Sequence, residues 1–340
     1  MDVQKNTDSI LVDSRLIEEL YSRNLISKEA KDFGLLLVYP PHNWGFWVSK
    51  MLLVLGASLI LSSVVYFCAF NWAKITPGIK LGALQLAILG CISSCWFTGL
   101  QKLSGKILLL SASILVGVFL AVFGQIYQTG ADSYNLFMIW ALLISPFVII
   151  SDFAALWVIW LLITNIFLIF YSQQVLSNDG ELHMVIFSYL VIFNGLFLCL
   201  REYCLKKGLD WLEGRWVRTI LVVLIFGYIL KQAIVFFMYI LGSGTTHSII
   251  FVSTTLLVVH VLFYIIYQLK LPDMWVLTTT ALSGCLILDF AILYFFLSSS
   301  FANINLLGFF TFMGCITIFI FSMAIIILQA TAKQIRSKNV

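Results

Sequence analysis

Long apolar runs separated by short polar segments recur along the chain from about residue 51 to residue 328. A membrane-spanning helix needs about 20 mostly apolar residues, because the hydrocarbon core is ~30 Å thick and each helical residue rises ~1.5 Å. The pattern predicts an all-α polytopic transmembrane helical bundle of about ten helices. The run that contains Pro146 is short, so it can be kinked or only partly inserted. The ten candidate spans are 51–70, 81–100, 107–123, 136–150, 153–171, 184–200, 217–241, 248–267, 275–297 and 306–328.

Composition agrees with a lipid environment. The 340 residues are 61% hydrophobic and 11% charged, and the mean hydropathy is +1.02. A soluble domain of this size could not hide so much apolar surface. The composition therefore excludes an ordinary soluble enzyme and names the lipid bilayer as the first partner of this chain.

Positive charge divides the segments between the apolar runs into two alternating sets. Cytoplasmic segments retain Lys and Arg, whereas outer loops contain few of them. With the N-terminus inside, 17 of the 20 Lys and Arg fall in the inner set, Lys74 and Lys80 fall in the outer set, and Lys231 lies within a run. The sequence therefore predicts ten spans with both termini in the cytoplasm. The first 30 residues are charged and lack an apolar core, so no cleavable signal peptide is expected.

The same pattern predicts three parts: a cytoplasmic helical hairpin at 1–48, a transmembrane helical bundle at 49–330 and a cytoplasmic tail at 331–340. The hairpin reads as two short helices with Ser14 and Ser27 as caps. So small a unit cannot bury a core alone. We expect it to dock on the inner face of the bundle, on a second copy in a homo-oligomer, or on another membrane protein.

One inner segment, 201–218, mixes Trp211 and Trp216 with cationic residues. Aromatic rings beside cations are typical of the level of the lipid headgroups. We interpret this segment as a short amphipathic helix along the membrane surface, and expect no nucleic-acid binding from it.

Motifs for catalysis or metal binding are weak. Seven cysteines lie in or beside the apolar runs, an odd number without zinc or disulfide spacing, and we interpret them as packing residues. Asp179, Glu181 and His183 in "NDGELH" can touch a cation but have no further ligand nearby. The sequence also lacks a nucleophile elbow, HExxH, a Walker loop and a dinucleotide fingerprint. We therefore expect a non-enzymatic protein with no cofactor and no metal.

Two ionisable residues lie deep in predicted spans. Lys231 follows Arg218 by ~20 Å of helix and Asp289 follows Trp275 by ~21 Å, so the two residues lie at nearly equal depth. A lone buried charge costs roughly 2.5 to 3.5 kcal/mol on insertion scales. The sequence therefore predicts an intramembrane charge pair between Lys231 and Asp289.

This pair has two interpretations. The functional one is a proton or ion relay extended by His260, Tyr228 and Gln232. The structural one is a register pin that never titrates, or a Lys231 side chain that extends outward to the membrane surface.

Other polar or small residues within the spans predict helix packing. Amides in apolar helices more often bridge two helices than bind a ligand, and Gln85, Asn165 and Asn194 are such amides. The small residues Ser113, Gly117 and Ala121 recur every four positions, which predicts close approach of a neighbouring helix.

Three stretches carry a family resemblance: "LYSRNLISKEA", "FNWAKITPGIKLG" and the block "FGQIYQTGADSYNLFMIWALLISPFVIISDFAALWVIWLLITN". In this order they resemble the bacterial membrane proteins of the family called domain of unknown function 2157. The resemblance covers about the first half of the chain, places it in the bacterial cytoplasmic (inner) membrane and implies no catalytic role. The motif positions that it implies are Asn71, Trp72, Pro77, Lys80, Gly124, Gln125, Tyr127, Gln128, Asp132, Trp140, Pro146, Trp157 and Asn165.

Both polar motif loops fall on the outer side in the predicted membrane topology. Their Asn, Gln, Tyr and Asp side chains can form a shallow polar vestibule, with Pro77 and Gly130 fixing the turns. Alternatively, these residues cap helix ends and satisfy backbone groups that lipid cannot satisfy.

Two functions remain open. The first is a non-enzymatic membrane protein acting in envelope assembly, sensing or partner binding. The second is a secondary transporter or channel for a small solute or ion that uses the Lys231 and Asp289 pair, built from two inverted halves of five helices. The sequence names no substrate, partner protein or oligomeric state.

Overall fold

The computed structural model describes residues 14–38, 72–176, 180–240, 245–298 and 306–338, together with isolated positions between 44 and 70. The chain forms two compact units, residues 1–76 and 77–340. The regular structure in the described ranges is helical throughout, without strands. The first candidate span, 51–70, lies largely outside these ranges, and so does Asn71.

The first unit contains the expected helical hairpin. Helix α1 (Ser14–Ser22) and helix α2 (Lys28–Val38) are joined by a turn in which Asn24 has a positive φ of 56°. Ile17 is buried and faces Gly34 on α2. The Ser27 hydroxyl accepts a hydrogen bond from the backbone N–H of Ala30 at 3.2 Å, which caps α2 as predicted. A short 3₁₀ turn, Trp72–Lys74, follows later in the chain.

Nine long apolar helices make up the described part of the second unit. All nine are long and apolar enough to cross a membrane, so nine of the ten predicted spans are confirmed within the described residues. The short run with Pro146 is a continuous helix of 18 residues, about 27 Å long. The bounds are α3 Pro77–Thr98, α4 Leu103–Tyr127, α5 Ser133–Ile150, α6 Ala154–Gln174, α7 Gly180–Lys206, α8 Arg215–Val235, α9 Thr246–Leu269, α10 Met274–Ser298 and α11 Leu306–Lys338.

Helices that follow one another in sequence pack side by side, and α8 also packs against α10. The largest core lies where α6 to α10 meet, with Val222, Ile225, Ile229 and Leu277 fully buried. A second core joins α3 to α6 around residues such as Ile144. These two cores fix the positions of the polar residues described below.

The connections at one end of the second unit are tied together by polar contacts. Lys106 donates to the backbone oxygen of Asp152 at 2.9 Å, and the hydroxyls of Tyr264 and Thr331 lie 2.9 Å apart. We call this the basic end, because the segments here hold eleven of the 13 Lys and Arg in residues 77–340. At the opposite end, Tyr134 donates its backbone N–H to Oε1 of Gln174 at 3.3 Å.

The segment 201–218, expected to form an amphipathic surface helix, consists of the end of α7, the start of α8 and a connection at residues 207–214 between them. Its regular part between α7 and α8 is a single 3₁₀ turn, Asp210–Leu212. Trp211 packs inward against Trp157, with ring centroids 6.2 Å apart, whereas Trp216 is exposed. Only Trp216 therefore has the exposure that an anchor in the headgroup layer requires.

Candidate functional sites

The polar motif at residues 124–132 lines a cavity at the end of the second unit opposite the basic end. Helix α4 extends to Tyr127, so the connection to α5 is only residues 128–132, shorter than the predicted loop. Gln128 and Gly130 have positive φ values of 45° and 61°, which turn the chain sharply. A cavity of about 570 Å³ results, lined by Gly124, Gln128 and Asp132 among others. We call it the motif cavity.

The side chains of the motif do not all face this cavity. Gln125 and Tyr127 are exposed on α4 and are not among its lining residues. The Tyr127 ring lies against Phe123, with centroids 4.6 Å apart. Elsewhere in the motif, Trp72 lies in the 3₁₀ turn of the first unit. A vestibule shared by both motif loops stays a prediction.

Helix capping explains only part of the motif. The backbone N–H of Gln128 closes α4 by bonding the oxygen of Gly124, and Pro77 opens α3, a position where a missing N–H costs nothing. Asp132 precedes α5, but its carboxylate makes no capping hydrogen bond. The Asp132 carboxylate therefore remains for solvent or a ligand in the motif cavity.

A second polar cavity at the same end lies between α6, α7 and α8. It has a volume of about 370 Å³, and its lining includes Ser172, Gln173, Lys231 and Tyr239. Lys231 is exposed and lies 16 positions after Arg215, or ~24 Å along α8. Immediately after α8 the chain forms a π-helical turn, Phe236–Ile240, a type of distortion that recurs at functional sites. We call this the lysine cavity.

The end of α6 lies between the two cavities. Gln173 lines the lysine cavity. The next residue, Gln174, accepts a hydrogen bond from the backbone N–H of Tyr134. Ser133, which precedes Tyr134, lines the motif cavity. The rings of Tyr134 and Tyr171 meet edge to face with centroids 5.5 Å apart. The motif cavity and the lysine cavity therefore lie side by side at this end, and we call the two together the polar rim. The polar rim is built from residues that are far apart in sequence.

The predicted ion pair between Lys231 and Asp289 is not formed. Asp289 lies 15 positions after Met274, or ~22 Å along α10, so the two residues do have similar depth. However, the ion pairs of the described residues do not include them. Lys231 shares the exposed face of α8 with Val223, whereas α8 meets α10 through its buried face. Asp289 is half-buried, and its Oδ1 is buried without a hydrogen-bond partner.

The residues proposed for a relay lie in separate environments. Nδ1 of His260 lies 2.7 Å from the Leu256 oxygen, and Nε2 lies 3.2 Å from the Ser283 hydroxyl. A carbonyl only accepts, so Nδ1 carries a proton and Nε2 can accept from Ser283, which satisfies a neutral imidazole. Tyr228 packs against the ring of Phe187, with centroids 6.1 Å apart.

Gln232 and two asparagines join helices inside the bundle. Oε1 of buried Gln232 accepts the backbone N–H of Ser188 at 3.2 Å. Asn165 and Asn194 exchange amide hydrogen bonds of 3.2 and 2.7 Å between α6 and α7. Each also donates to a carbonyl four residues earlier in its own helix. Asn165 and Asn194 therefore bridge two helices, as their sequence context predicts.

A charged network at the basic end was missed by the sequence reasoning. Arg218 forms a fork on Glu202, at 2.9 and 3.0 Å, and contacts Asp273 at 2.8 Å. Arg201 bonds Glu202 at 2.6 Å, and Asp273 also accepts the backbone N–H of Trp275 at 3.1 Å at the start of α10. One sequence signal could have indicated part of this network: Asp273 is a typical N-cap residue and lies just before an apolar run.

No group of three His, Cys, Asp or Glu in the described part of the chain is arranged to hold a metal ion. The side chains of Asp179, Glu181 and His183 lie outside the described residues. The cation site considered for that loop therefore stays a weak hypothesis.

Comparison with known proteins gives one match. Residues 18–157 match a family model described as "Predicted membrane protein (DUF2157)". The match runs from α1 into the start of α6 and contains both motif loops, so the family resemblance is confirmed over this part of the chain. No curated protein and no solved structure matches the chain.

Proposed function

We propose that this chain is a non-enzymatic multi-pass protein of the bacterial cytoplasmic membrane that recognises a ligand or partner at its outer end, in sensing or envelope assembly. One observation carries the proposal: the motif cavity and the lysine cavity open at the same end, on either side of α6. Between the two ends, Asn165, Asn194 and His260 are satisfied by their neighbours. This arrangement suits binding at a surface better than passage through the bundle.

The orientation follows from charge. Eleven of the 13 Lys and Arg in residues 77–340 belong to the basic end, and cytoplasmic segments retain such residues. Helix α11 ends there, which supports a cytoplasmic C-terminus. The predicted span 51–70 returns the N-terminus to the same side. The motif cavity then faces outward.

The chemistry of the lysine cavity indicates the class of group that it receives. Lys231 offers three N–H donors and a positive charge, and Gln173 adds amide donors and an acceptor beside it. The recognised group is therefore a carboxylate or a phosphate, carried by a small molecule or by a partner protein.

Orientation is tested by labelling single added cysteines in intact cells with a membrane-impermeant maleimide. Asp132→Cys should react without permeabilisation, and Lys207→Cys only after it. The unchanged chain is the control, because its own cysteines lie in or beside apolar runs. The reversed pattern would contradict the proposed orientation.

Recognition is tested by placing a photocrosslinking amino acid at Gln173, in the lysine cavity. The matched control is Ile192, which is exposed on α7 and lies outside this cavity. A discrete crosslinked species should form from Gln173 alone and should disappear when Lys231→Met is added. Identical products from both positions would show that the cavity only meets bulk lipid.

One observation favours the alternative, a secondary transporter or channel: the unpartnered Oδ1 of Asp289 in the middle of α10. Proton movement into vesicles containing the purified chain tests it, with Asp289→Asn as the variant and Asp32→Asn, at an exposed position of α2, as the control. The leading proposal expects no flux above empty vesicles. Flux that Asp289→Asn abolishes and Asp32→Asn leaves intact would establish the alternative instead.

A further inference from the structure

An apolar cavity that is partly open lies at the basic end, away from the polar rim. It has a volume of about 220 Å³ and lies between α6, α7 and α8. Eleven of its twelve lining residues are apolar or cysteine, among them Trp157, Phe197 and Cys204. Trp211 of the 3₁₀ turn lines it as well and packs on Trp157. Such a lining favours an apolar group over most of its surface.

The twelfth lining residue, Arg201, leaves one buried donor unused. Its side chain is 3% exposed, and Nη1 bonds Glu202 at 2.6 Å. Nη2 donates to the backbone oxygens of Leu212 and Gly214, at 2.9 and 3.1 Å, which holds the 3₁₀ turn beside the cavity. The Nε–H has no partner, although a buried donor normally finds an acceptor. An occupant that combines an apolar chain with acceptor oxygens would meet both requirements.

Exposed cations flank the cavity residues in sequence. Lys206 and Lys207 follow Cys204, and Arg215 precedes the lining residue Val217. These three cations outnumber the two exposed acids of the same connection, Asp210 and Glu213, and the Glu202 carboxylate already binds Arg201 and Arg218. Exposed cations beside an apolar surface at a helix end attract anionic headgroups.

We propose that this cavity holds part of an acyl chain of an anionic phospholipid, whose headgroup lies on Lys206, Lys207 and Arg215. The volume accepts a segment of one chain, and the remainder continues in the bilayer. An oxygen near the headgroup is the acceptor for the Arg201 Nε–H. This site is independent of the outer cavities, so it does not rest on the proposed function.

The test uses two cysteines of the same helix. Cys204 lines the cavity, whereas Cys199 is exposed on α7, so Cys204→Phe fills the site and Cys199→Phe is the matched control. The full-length chain is incubated with equal amounts of phosphatidylglycerol and phosphatidylethanolamine with identical chains, and retained lipid is measured by native mass spectrometry. Cys204→Phe should retain about tenfold less phosphatidylglycerol than the control, as expected when one or two methylene groups lose their burial.

Headgroup recognition has its own comparison. Replacing Lys206 and Lys207 by Gln should remove most of the preference for phosphatidylglycerol over phosphatidylethanolamine. Lys80→Gln, at the opposite end, should leave that preference unchanged. If Cys204→Phe and Cys199→Phe retain equal amounts of phosphatidylglycerol, the proposal that the cavity binds the acyl chain is wrong. If the unchanged chain retains both lipids equally, the proposal that the site prefers an anionic headgroup is wrong.

A second measurement needs no variant and covers the case in which Cys204→Phe fails to fold. A small maleimide is added to the unchanged chain with and without phosphatidylglycerol, and the modification of each cysteine is followed by peptide mass spectrometry. The lipid should slow modification of Cys204 severalfold and leave Cys199 unaffected. Unchanged rates at Cys204 overturn the proposal.

Discussion

Single residues decide how closely α4 and α5 approach. Gly117 faces the indole of Trp140, and a Cβ at this position would overlap that ring. The same indole donates its N–H to the oxygen of Ser113 at 2.8 Å. The small-residue stripe predicted from the sequence thus contains a notch that Trp140 fills.

Gly117→Ala should therefore destabilise the fold. The added methyl group must displace Trp140, and such overpacking typically costs about 1 to 3 kcal/mol. Denaturant unfolding in detergent, followed by tryptophan fluorescence, gives the change in unfolding free energy. Gly90→Ala on α3 is the control, because a Cβ there meets nothing within 4 Å. Equal stability of both variants would contradict the packing described here.

The amide bridge between α6 and α7 makes a second prediction at the residue scale. Asn165→Leu or Asn194→Leu alone leaves the other amide buried with an unmet hydrogen bond. Each should cost about 0.6 to 2 kcal/mol, the range for such bonds between membrane helices. The double variant should lose less than the sum, because no amide is then left unpaired. Strict additivity in the double-mutant cycle would contradict the bridge.

The role of a residue was predictable where it depends on its own helix. It was less predictable where it depends on which face of that helix is turned toward a neighbouring helix. Asn165 and Asn194 stand out because amides are rare in apolar runs. The depths of Lys231 and Asp289 followed from the helical rise alone. Their failure to pair could not be foreseen, since α8 and α10 are apolar around most of their circumference and the sequence does not indicate which face each buries.

At the scale of elements, Arg218 joins three helix ends. It lies in α8, contacts Glu202 of α7 on two oxygens and reaches Asp273 before α10. The planar guanidinium binds both oxygens of Glu202 with two N–H groups and still contacts Asp273, whereas an ammonium group lacks this fixed fork geometry. The side chains are only 13 to 22% exposed, so water replaces little of this network.

Arg218→Met should destabilise the fold by about 3 kcal/mol, because it leaves the partly buried Asp273 carboxylate without its cation and Glu202 with Arg201 as its remaining partner. Arg218→Lys should show a smaller loss, since it keeps the charge and loses the fork. Thermal unfolding of the purified chain measures both. Arg23, which pairs with Glu19 at an exposed site, is the matched control, and Arg23→Met should change stability little. A similar small effect of Arg218→Met would show that the network is dispensable.

The elements themselves were largely predictable from hydropathy, and their ends were not. A lipid core demands runs of a fixed length, which is why nine spans agree with the sequence. Hydropathy marks the membrane and not the end of the hydrogen-bonded backbone, so α7 continues to Lys206 and α11 to Lys338. For the same reason Gly124, Gln125 and Tyr127 are helical, although they were expected in a loop.

At the scale of the whole molecule, burial is concentrated in α7 and α8. In each of these helices, 44% of the residues in the spanning window are buried, compared with 6% in α3. Local opening should therefore be rarest in this pair. Hydrogen exchange in detergent micelles should be at least about tenfold slower in α7 and α8 than in α3. Uniform protection across the nine helices would contradict this ranking.

The polar rim is the feature that no local pattern could predict. Gln173 and Lys231 line one cavity although they are 58 positions apart, and neither belongs to a recognisable motif. Only the packing of α6, α7 and α8 brings them together. The motif cavity, by contrast, comes from one short connection, and the sequence already marked Gln128 and Asp132 as its polar residues.

The fork of Arg218 has a consequence for natural variation among relatives. A neutral replacement of Arg218 alone leaves Glu202 and Asp273 with Arg201 as their remaining cation, and loss of either acid leaves an excess of positive charge at a partly buried site. Drift at these positions should therefore be compensatory: Arg218 and one of the two acids are exchanged together for neutral residues, which keeps the charges balanced, or all three are retained. An alignment of relatives that extend over α7 to α10 would reveal this as covariation of positions 202, 218 and 273.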